Sequence, residues 1–483
     1  MEQPAAQPAV AIIGGGIAGL AAAFFLRDEP VTVTVLEGSP RLGGKLLVSE
    51  VAGVPVDAGA EALLARRPEG TELIRAVGLD GDLVLPGSTA ARIWSRGVPR
   101  SLPARQMMGV PADLEDLART GLLSAAGLAR ARREPDLPGT VRDGDVPVAS
   151  YVAARFGQEV VDRLVDPLLG GVYAGRSEEL SFDATLPGLA EAARSRVSLT
   201  EAAASLLPAP RSAGAANGGS RPAVFTTLAG GLGVLPDAVA AASGATVRTS
   251  AMVRELARTG SGWRLTIGSA HAPEYLDADA VIVAVPGRPA SRLLAGVPGA
   301  AAAAAALDEI AYASMAIITF GYPRAAFPHP PDGSGYLVPA VDGHPVKAVT
   351  FSSVKWPHLQ AQAPELVMAR CSVGRIGEEG VLQRDDADLA AVAARDLAAA
   401  TGVRGTATDT RVTRWGGALP QYTVGHRDRV ARIRAGVAAQ PGLAVCGAAY
   451  DGVGIPACIA TARRAVSQIL AAMRAPQSIG GPN

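Results

Sequence analysis

The chain has 483 residues, more than a single hydrophobic core normally serves, so we expect two or three domains. Its 45 Lys and Arg residues balance 45 Asp and Glu residues, and zero net charge gives no electrostatic reason to expect a nucleic-acid partner. Hydrophobic residues make up 48% of the chain, which excludes a largely disordered protein. Three widely spaced cysteines match no metal-ligand spacing, so the sequence predicts neither a metal site nor a disulfide framework.

Nothing in the sequence predicts secretion or a membrane span. The N-terminal segment MEQPAAQPAV lacks the basic region and long apolar core of a signal peptide. The apolar stretch at residues 294–320 is interrupted by Pro298, Asp308 and Glu309 before it reaches a spanning length. Sparse cysteine suits a reducing compartment. We therefore expect a cytoplasmic protein without a transmembrane segment, and leave open a loose, peripheral membrane contact and the oligomeric state.

The first predicted unit is a strand at residues 10–13, a glycine turn at residues 14–19 and a helix to about Arg27. Glycines at the first, third and sixth positions of the turn permit a tight bend, close approach to a pyrophosphate, and close packing of helix on strand. The next strand, VTVTVLE, ends in Glu37, 18 residues past the last glycine and close to the spacing of about 20 that places a carboxylate on a ribose. This pattern predicts a dinucleotide site. The turn residues expected to contact the nucleotide are Gly14, Gly15, Gly16, Ile17, Ala18 and Gly19.

A helical region is predicted from residue 96 to residue 221. Apolar residues recur there at three- and four-residue spacing, and Asp113 and Glu115 suit the N-terminus of its first helix. The stretch PAPRSAGAANGGSRP (residues 208–222) is rich in small residues, which is typical of a linker. This stretch is the best candidate for a domain boundary.

Beyond the linker the pattern changes twice. Residues 223–285 predict strands, a glycine turn and a helix, and ASMAIITFGY, VKAVTFSSV and ELVMARCSV then alternate as in a mostly antiparallel sheet. The C-terminal part returns to a strand, a glycine-rich turn and a long helix. Sequence typical of a nucleotide-binding domain thus occurs at the start, middle and end of the chain. We expect one such domain built from separated segments.

Three stretches resemble the FAD-binding, amine-oxidase-like flavoproteins. EGSPRLGGKLLV (residues 37–48) places an arginine and paired glycines directly after the predicted ribose carboxylate. VDAGAEALL (residues 56–64) resembles their segment beside the flavin, and CGAAYDGVGIPACIATARRA (residues 446–465) resembles the segment that closes over it. The resemblance implies FAD as cofactor. Beyond the turn it implies cofactor contacts from Glu37, Arg41, Gly44, Lys45, Gly59, Ala60, Glu61, Ala62, Val253, Ala448, Val453, Gly454 and Ile455.

The fold class that follows from this resemblance is α/β plus α. It consists of a Rossmann-like FAD-binding domain made of discontinuous segments, a mixed-sheet substrate domain and an inserted helical domain. The expected bounds are residues 8–65, 222–290 and 437–476 for the FAD-binding domain. Residues 66–95 and 291–436 would form the substrate-binding domain, and residues 96–221 the helical domain, which could face a membrane.

Within these flavoproteins the resemblance narrows to the protoporphyrinogen and coproporphyrinogen oxidases of heme biosynthesis. Residues 161–192 resemble their helical-domain signature, and ALPQYTVGHRDRV (residues 418–430) resembles their Pro-Gln-Tyr-x-x-Gly-His segment. The resemblance implies that FAD takes hydride from a porphyrinogen and that dioxygen then reoxidises the flavin, releasing hydrogen peroxide. Because the flavin performs the redox step, no catalytic side chain is assigned. It also implies substrate contacts from Arg92, through a guanidinium–propionate pair, and from Tyr422.

Several alternatives stay open at this point. We favour coproporphyrinogen III as the substrate by analogy with actinobacterial relatives, with protoporphyrinogen IX as the second choice. An amine oxidase or carotenoid desaturase would share the FAD scaffold, although only 4% of the residues are aromatic, few for an amine-binding cage. A non-enzymatic alternative is a binding protein like the prenyl-protein chaperones, which the intact glycine turn and Glu37 argue against.

Overall fold

A five-stranded parallel sheet forms the first of the two large sheets of the protein. The computed structural model describes residues 7–139, 142–208 and 223–474. The register of this sheet aligns the last residues of the strands, so that Leu36, Ile13, Val283 and Val445 lie side by side. We call this row the carboxyl edge. In spatial order the strands are Thr246–Arg248, Thr32–Leu36, Ala9–Ile13, Ala280–Val283 and Leu443–Val445.

Both faces of this sheet are covered, because successive side chains of a strand point to opposite faces. Val10 and Ile12 pack into one apolar cluster, whereas Ala11 and Ile13 pack into a second one. The helices on the first face are Ile17–Leu26, Pro68–Ala76, Leu235–Ser243 and Ile455–Arg474. The second face is covered by the strands Val253–Arg258, Trp263–Ser269 and Ala272–Ala278 and the helices Gly287–Ala295, Ala301–Asp308 and His426–Ala438.

A seven-stranded mixed sheet is the second large sheet of the protein. Its strands form six neighbouring pairs. All of these pairs are antiparallel except the one formed by Gly335–Leu337 and Ala91–Ser95. The predicted strand VKAVTFSSV ends earlier than expected, because the chain turns into the short helix Ser352–Lys355, followed by Pro357–Gln362. The helix Asp386–Thr401 packs on one face. The strands in spatial order are Asp409–Pro420, Tyr312–Pro323, Leu366–Val373, Val346–Phe351, Gly335–Leu337, Ala91–Ser95 and Val98–Ser101.

The predicted helical region is largely helical, and Asp113 caps its first helix by accepting hydrogen bonds from the amides of Glu115 and Asp116, both at 3.0 Å. A buried pair, Arg155 and Glu134, lies at its centre, with 2.6 Å between Nη2 and Oε1. The region also contains the short hairpin Gln106–Met107 and Val110–Pro111. Its helices are Leu114–Thr120, Ala125–Arg132, Val148–Phe156, Gln158–Val160, Val161–Val165, Asp166–Tyr173, Phe182–Thr185, Pro187–Ala192 and Leu199–Ser205.

Two small sheets connect the layers. One is the hairpin Val48–Val51 and Val54–Asp57, and the other joins Leu63–Leu64, Phe225–Leu228 and Leu83–Val84. Residues 209–222 of the predicted linker lie outside the described residues. Three helices within the predicted substrate domain pack on the parallel sheet. They are at residues 68–76, 301–308 and, except for its last two residues, 426–438. The domain bounds stay a prediction. In the described ranges, no helix combines the length and apolarity needed to cross a bilayer.

Candidate functional site

The glycine turn leaves the parallel sheet at its carboxyl edge, where ligands bind in open α/β sheets. Gly14 has φ +112°, and its amide donates to the Leu36 carbonyl at 2.8 Å. A Cβ on Gly19 would lie 1.9 Å from the Gly14 carbonyl oxygen, so only glycine allows the helix to pack on the strand. The structure thus confirms the strand, turn and helix predicted for residues 10–27 and supplies the steric reason for the first and last glycines.

Gly16 differs from its neighbours because a Cβ there would meet nothing within 4 Å. It precedes the helix Ile17–Leu26, and no side chain caps that helix. The first amides of a helix have no intrahelical partner, and the helix dipole favours an anion at this end. Open space at Gly16 thus adjoins the start of a helix without a side-chain cap, the arrangement that binds a phosphate. The contacts of Gly16, Ile17, Ala18 and Gly19 with the nucleotide stay predictions.

Glu37 follows the neighbouring strand and lies beside this turn. Its Oε2 accepts from the Gly15 amide at 2.7 Å, and its Oε1 accepts from the Ser39 amide at 2.8 Å. The Ala251 amide donates to the Glu37 carbonyl at 2.8 Å, which brings the start of the strand containing Val253 to the same end of the site. Glu37 and the strand that contains Val253 therefore lie at the same end of the site, and their contacts with ribose and adenine stay predictions.

Residues 41–45 fold over the glycine turn. The Arg41 guanidinium donates to the Leu42 and Gly44 carbonyls at 2.9 and 2.7 Å, which holds the loop in a tight curve. Gly44 has φ +56°, and a Cβ there would lie 3.4 Å from Gly16 Cα. Burial lowers the pKa of Lys45, with the neighbouring Cys458 acting in the opposite direction. Arg41 therefore acts on the loop in this structure, while Lys45 is a half-buried cation close to the C-terminal helix.

The segment 59–62 lies against that loop. The Ala60 amide donates to the Lys45 carbonyl at 3.0 Å, and a Cβ on Gly59 would lie only 1.9 Å from the same oxygen. The side chain of Glu61 points away from the loop, toward three partners on the seven-stranded sheet and the helix after it. These partners, which the sequence analysis did not identify, are Ser352, Lys355 and Arg370.

Charge compensation keeps Glu61 ionised despite its burial. Burial alone would raise the pKa of Glu61, but Lys355 at 3.3 Å and Arg370 at 3.5 Å lower it to about 2. Arg370 also donates to the Gly59 carbonyl oxygen. Glu61 thus attaches the segment to the seven-stranded sheet, and the cofactor contacts of Gly59, Ala60, Glu61 and Ala62 stay predictions.

The C-terminal closing segment, residues 446–455, begins directly after the strand Leu443–Val445. Tyr422, which lies outside this segment in the sequence, fixes its backbone through two hydrogen bonds. Its hydroxyl donates to the Ala448 carbonyl at 2.6 Å and accepts from the Gly452 amide at 2.8 Å. His426 stacks on the Tyr422 ring at 3.8 Å, and its Nε2 lies 3.1 Å from the Tyr450 carbonyl oxygen. Burial raises the pKa of Tyr422 far above its usual range, so the hydroxyl stays a donor.

The N-terminal and C-terminal pieces share one apolar cluster. Ala18 and Ile455 are buried in it, and Ile17, Ala60 and Ala448 pack against it from the open side. Gly454 accepts from the Cys458 amide at 3.0 Å and so starts the last helix, whereas the neighbouring Val453 packs toward the helical region. The glycine turn, the segment 59–62 and the closing segment are therefore brought together, and we call the arrangement of the predicted cofactor residues around them the cradle.

The two predicted substrate residues lie in different surroundings. Tyr422 is 1% exposed, and its hydroxyl is engaged by the closing segment rather than directed into an open space. Arg92 is partly exposed on the strand Ala91–Ser95, where its guanidinium pairs with Asp332 and reaches Ser101 Oγ at 3.4 Å. The described contacts do not link Arg92 to the cradle. Both substrate contacts stay predictions.

Comparison with known proteins agrees with this geometry. The model of the flavin-containing amine oxidoreductase family matches residues 17–470. The chain belongs to this family. A coproporphyrinogen III oxidase of Mycobacterium tuberculosis is 39% identical, covering 96% of this chain and 98% of the relative. One of Bacillus subtilis is 31% identical, covering 95% and 97%.

Solved structures show the same fold. A candidate protoporphyrinogen oxidase from Exiguobacterium superposes with a TM-score of 0.83 at 30% identity, covering 96% of this chain and 99% of that one. Putrescine oxidase superposes at 0.67 with 15% identity, over 96% and 99%, and supports the fold alone. The amine-oxidase-like fold class is thereby confirmed. The chain is an FAD-dependent oxidoreductase.

The cradle fits this cofactor on two structural observations. The open space at Gly16 and the uncapped helix after it would receive a pyrophosphate, which carries negative charge. Among the described residues, the Lys45 ammonium has no hydrogen-bond or ion-pair partner and remains available to an anionic group. The contacts of individual residues with FAD stay predictions, and two substitutions test them.

We expect Gly19→Ala to remove most of the bound FAD. The new methyl group would overlap a backbone oxygen that cannot move aside, and overpacking of this kind costs about 1–3 kcal/mol or more. The measurement is the FAD released per chain on denaturation. Gly81→Ala is the matched control, because a Cβ there meets nothing within 4 Å. Wild-type FAD content in Gly19→Ala would contradict the proposed role of the turn.

We expect Tyr422→Phe to weaken FAD binding roughly tenfold. The substitution leaves two backbone groups of the closing segment without their partner, at a cost of about 1–3 kcal/mol. Fluorescence titration of the apoprotein with FAD measures the effect. Tyr336→Phe serves as control, since that buried hydroxyl has no partner among the described residues. An equal loss in both variants would show that Tyr422 does not specifically hold the segment.

Proposed function

We propose that this chain oxidises a porphyrinogen to a porphyrin, with coproporphyrinogen III as its substrate and dioxygen as the electron acceptor. The observation that carries the proposal is similarity over nearly the whole length to proteins named coproporphyrinogen III oxidase. These come from bacteria as different as Mycobacterium, Bacillus and Staphylococcus, at 39%, 31% and 28% identity. The cradle supports it, since its pieces come from both ends of the chain, as a cofactor-centred site requires.

In the proposed reaction, FAD held in the cradle would supply the redox chemistry. Each of three rounds would remove two electrons and two protons from the macrocycle and would convert one dioxygen to hydrogen peroxide. The protein holds the segments of the cofactor site in place. Arg41 shapes the loop over the glycine turn, Arg370 fixes the Gly59 carbonyl, and Tyr422 holds the closing segment. The contacts made by Arg370 and Tyr422 are half-buried, and they fix the backbone that would surround the cofactor.

Arg92 is our proposed contact for a substrate propionate. Its present partner, the Asp332 side chain, is 76% exposed, and an exposed ion pair contributes little free energy. A substrate carboxylate could therefore replace Asp332 at small cost and bind through two parallel hydrogen bonds. Arg92 lies next to Ile93, which packs into the apolar cluster of the helical region. The strand Ala91–Ser95 therefore reaches the junction of two domains, where ligand sites commonly form, although the Arg92 side chain points to the face opposite that of Ile93.

Protoporphyrinogen IX is the second candidate substrate. A protoporphyrinogen oxidase of Bos taurus is 29% identical over 95% of this chain and 98% of the relative. The two porphyrinogens differ in carboxylate number, so one enzyme could oxidise both at different rates.

An activity assay with each porphyrinogen in turn distinguishes the two candidate functions directly. The FAD-loaded protein is offered each porphyrinogen under air, and porphyrin fluorescence is followed with peroxide release. We expect a higher kcat/KM for coproporphyrinogen III, with three peroxide molecules for each porphyrin. A preference for protoporphyrinogen IX would favour the second candidate, and failure with both would overturn the proposed function.

We expect Arg92→Ala to raise the KM for coproporphyrinogen III by about tenfold to a hundredfold, because loss of a charge-assisted pair costs about 1.5–3 kcal/mol. FAD content should not change. Arg264→Ala is the matched control, since Arg264 also pairs with an exposed carboxylate, Asp277, but lies on the sheet behind the parallel strands. An unchanged KM in Arg92→Ala would exclude this contact.

A reducing, cytoplasmic location is part of the proposal. All three cysteines, Cys371, Cys446 and Cys458, are unpaired and buried, as expected where disulfides do not form.

A further inference from the structure

A small polar cavity lies behind the segment that carries Gly59 and Glu61. Its walls come from separate parts of the chain: the hairpin strand Val54–Asp57, Glu61, the strand Phe225–Leu228 with the turn at Gly231, the helix Ser352–Lys355, Trp356 and the helix Pro357–Gln362. The volume open to the centre of a water molecule is about 10 Å³. This is about the space that one water requires.

Three side chains that line this cavity carry buried polar atoms without a partner. These atoms are Thr227 Oγ1, Trp356 Nε1 and His358 Nδ1, and they have no hydrogen bond within the described residues. Thr227 and Trp356 are each 1% exposed, so bulk water cannot satisfy them. A buried polar group without a partner costs about 1–3 kcal/mol, which is why such groups are nearly always paired with protein or internal water.

Asp57 also lines the cavity and gives it an acidic wall. Its carboxylate accepts from the Leu232 and Gly233 amides at 3.1 and 3.3 Å, which uses one lone pair on each oxygen. The remaining lone pairs are free to bond within the cavity. An indole donor, a hydroxyl, an imidazole nitrogen and two carboxyl groups, Asp57 and Glu61, thus line a space of one water. An internal water normally makes about three hydrogen bonds.

We propose that this cavity is a binding site for one internal water molecule that bridges Asp57 to Trp356, Thr227 and His358. The water would connect the hairpin and the strand beside the nucleotide-binding layer to the helices of the seven-stranded sheet. It would thereby complete the support behind residues 59–61, to which Glu61, itself part of the cavity wall, contributes through its pairs with Lys355 and Arg370. The site does not depend on the identity of the substrate.

The direct experiment is a crystal structure of the FAD-loaded protein at a resolution that shows other internal waters. We expect one water peak within hydrogen-bond distance of Trp356 Nε1 and Thr227 Oγ1. An empty cavity, direct pairing of these atoms with one another, or a cofactor atom in the cavity would each overturn the proposal.

Thr227 variants provide a second measurement. Thr227→Ser keeps the hydroxyl, whereas Thr227→Val replaces it with a methyl group of similar size. We expect Thr227→Val to lower the melting temperature by about 1–3 °C more than Thr227→Ser and to lose or displace the water. Equal melting temperatures with an unchanged cavity would show that the hydroxyl has no bound partner.

The cavity also predicts a dependence of stability on pH. Burial raises the pKa of Asp57 to about 7, against its hydrogen bonds from Leu232 and Gly233; Glu61 raises it further and Arg370 lowers it. Lys355 and His358 are the other titratable groups that face this wall. A raised pKa means that the folded state binds this proton more tightly, so the contribution is complete below about pH 4 and is lost as pH rises to about 7.

We therefore expect Asp57→Asn to remove part of this decline, since the side-chain amide keeps the size and one of the two accepted hydrogen bonds but does not titrate. Loss of the second hydrogen bond lowers the melting temperature at every pH and leaves the comparison of the two pH profiles intact. The measurement is the melting temperature of both proteins at a series of pH values between about 4 and 8. An identical pH profile in the two proteins would contradict a protonated Asp57 at the cavity.

Discussion

The register of the parallel sheet is the constraint on which the rest of the structure depends. It aligns Leu36, Ile13, Val283 and Val445 in a single row, so whatever follows each strand emerges at the same edge. Glu37, the glycine turn and the closing segment each follow one of these residues directly. A shift of one residue in any of these strands would turn its side chains to the wrong face and separate the pieces of the cradle.

Hydrogen bonds and ion pairs from outside the parallel sheet then fix the closing segment and the segment 59–62. Tyr422 holds the closing segment, Asp451 within it pairs with Arg434 and Arg464 at 2.5 Å each, and Arg370 holds Gly59. Since these ties come from distant parts of the chain, the cradle forms only when the domains are packed together. Any ligand that binds this assembled state will stabilise the fold as a whole.

The local parts of the site could be predicted from sequence, because each depends on residues close together in the chain. The strand, glycine turn and helix are of this kind, and so is the cap at Asp113. The fold class came from motifs at both ends of the chain. Long-range partners could not be predicted in this way: Glu61 meets Ser352, nearly 300 positions later, and Arg92 meets Asp332. Tyr422 was identified as a site residue, but only the structure shows its hydroxyl on the closing segment.

The central claim is that separated segments form one cradle for a single FAD molecule. The most direct test is the visible absorption spectrum of the purified protein together with the FAD released per chain. The account predicts flavin absorption and one FAD for each chain, either as purified or after addition of FAD. A folded, colourless protein that does not take up added FAD would contradict it.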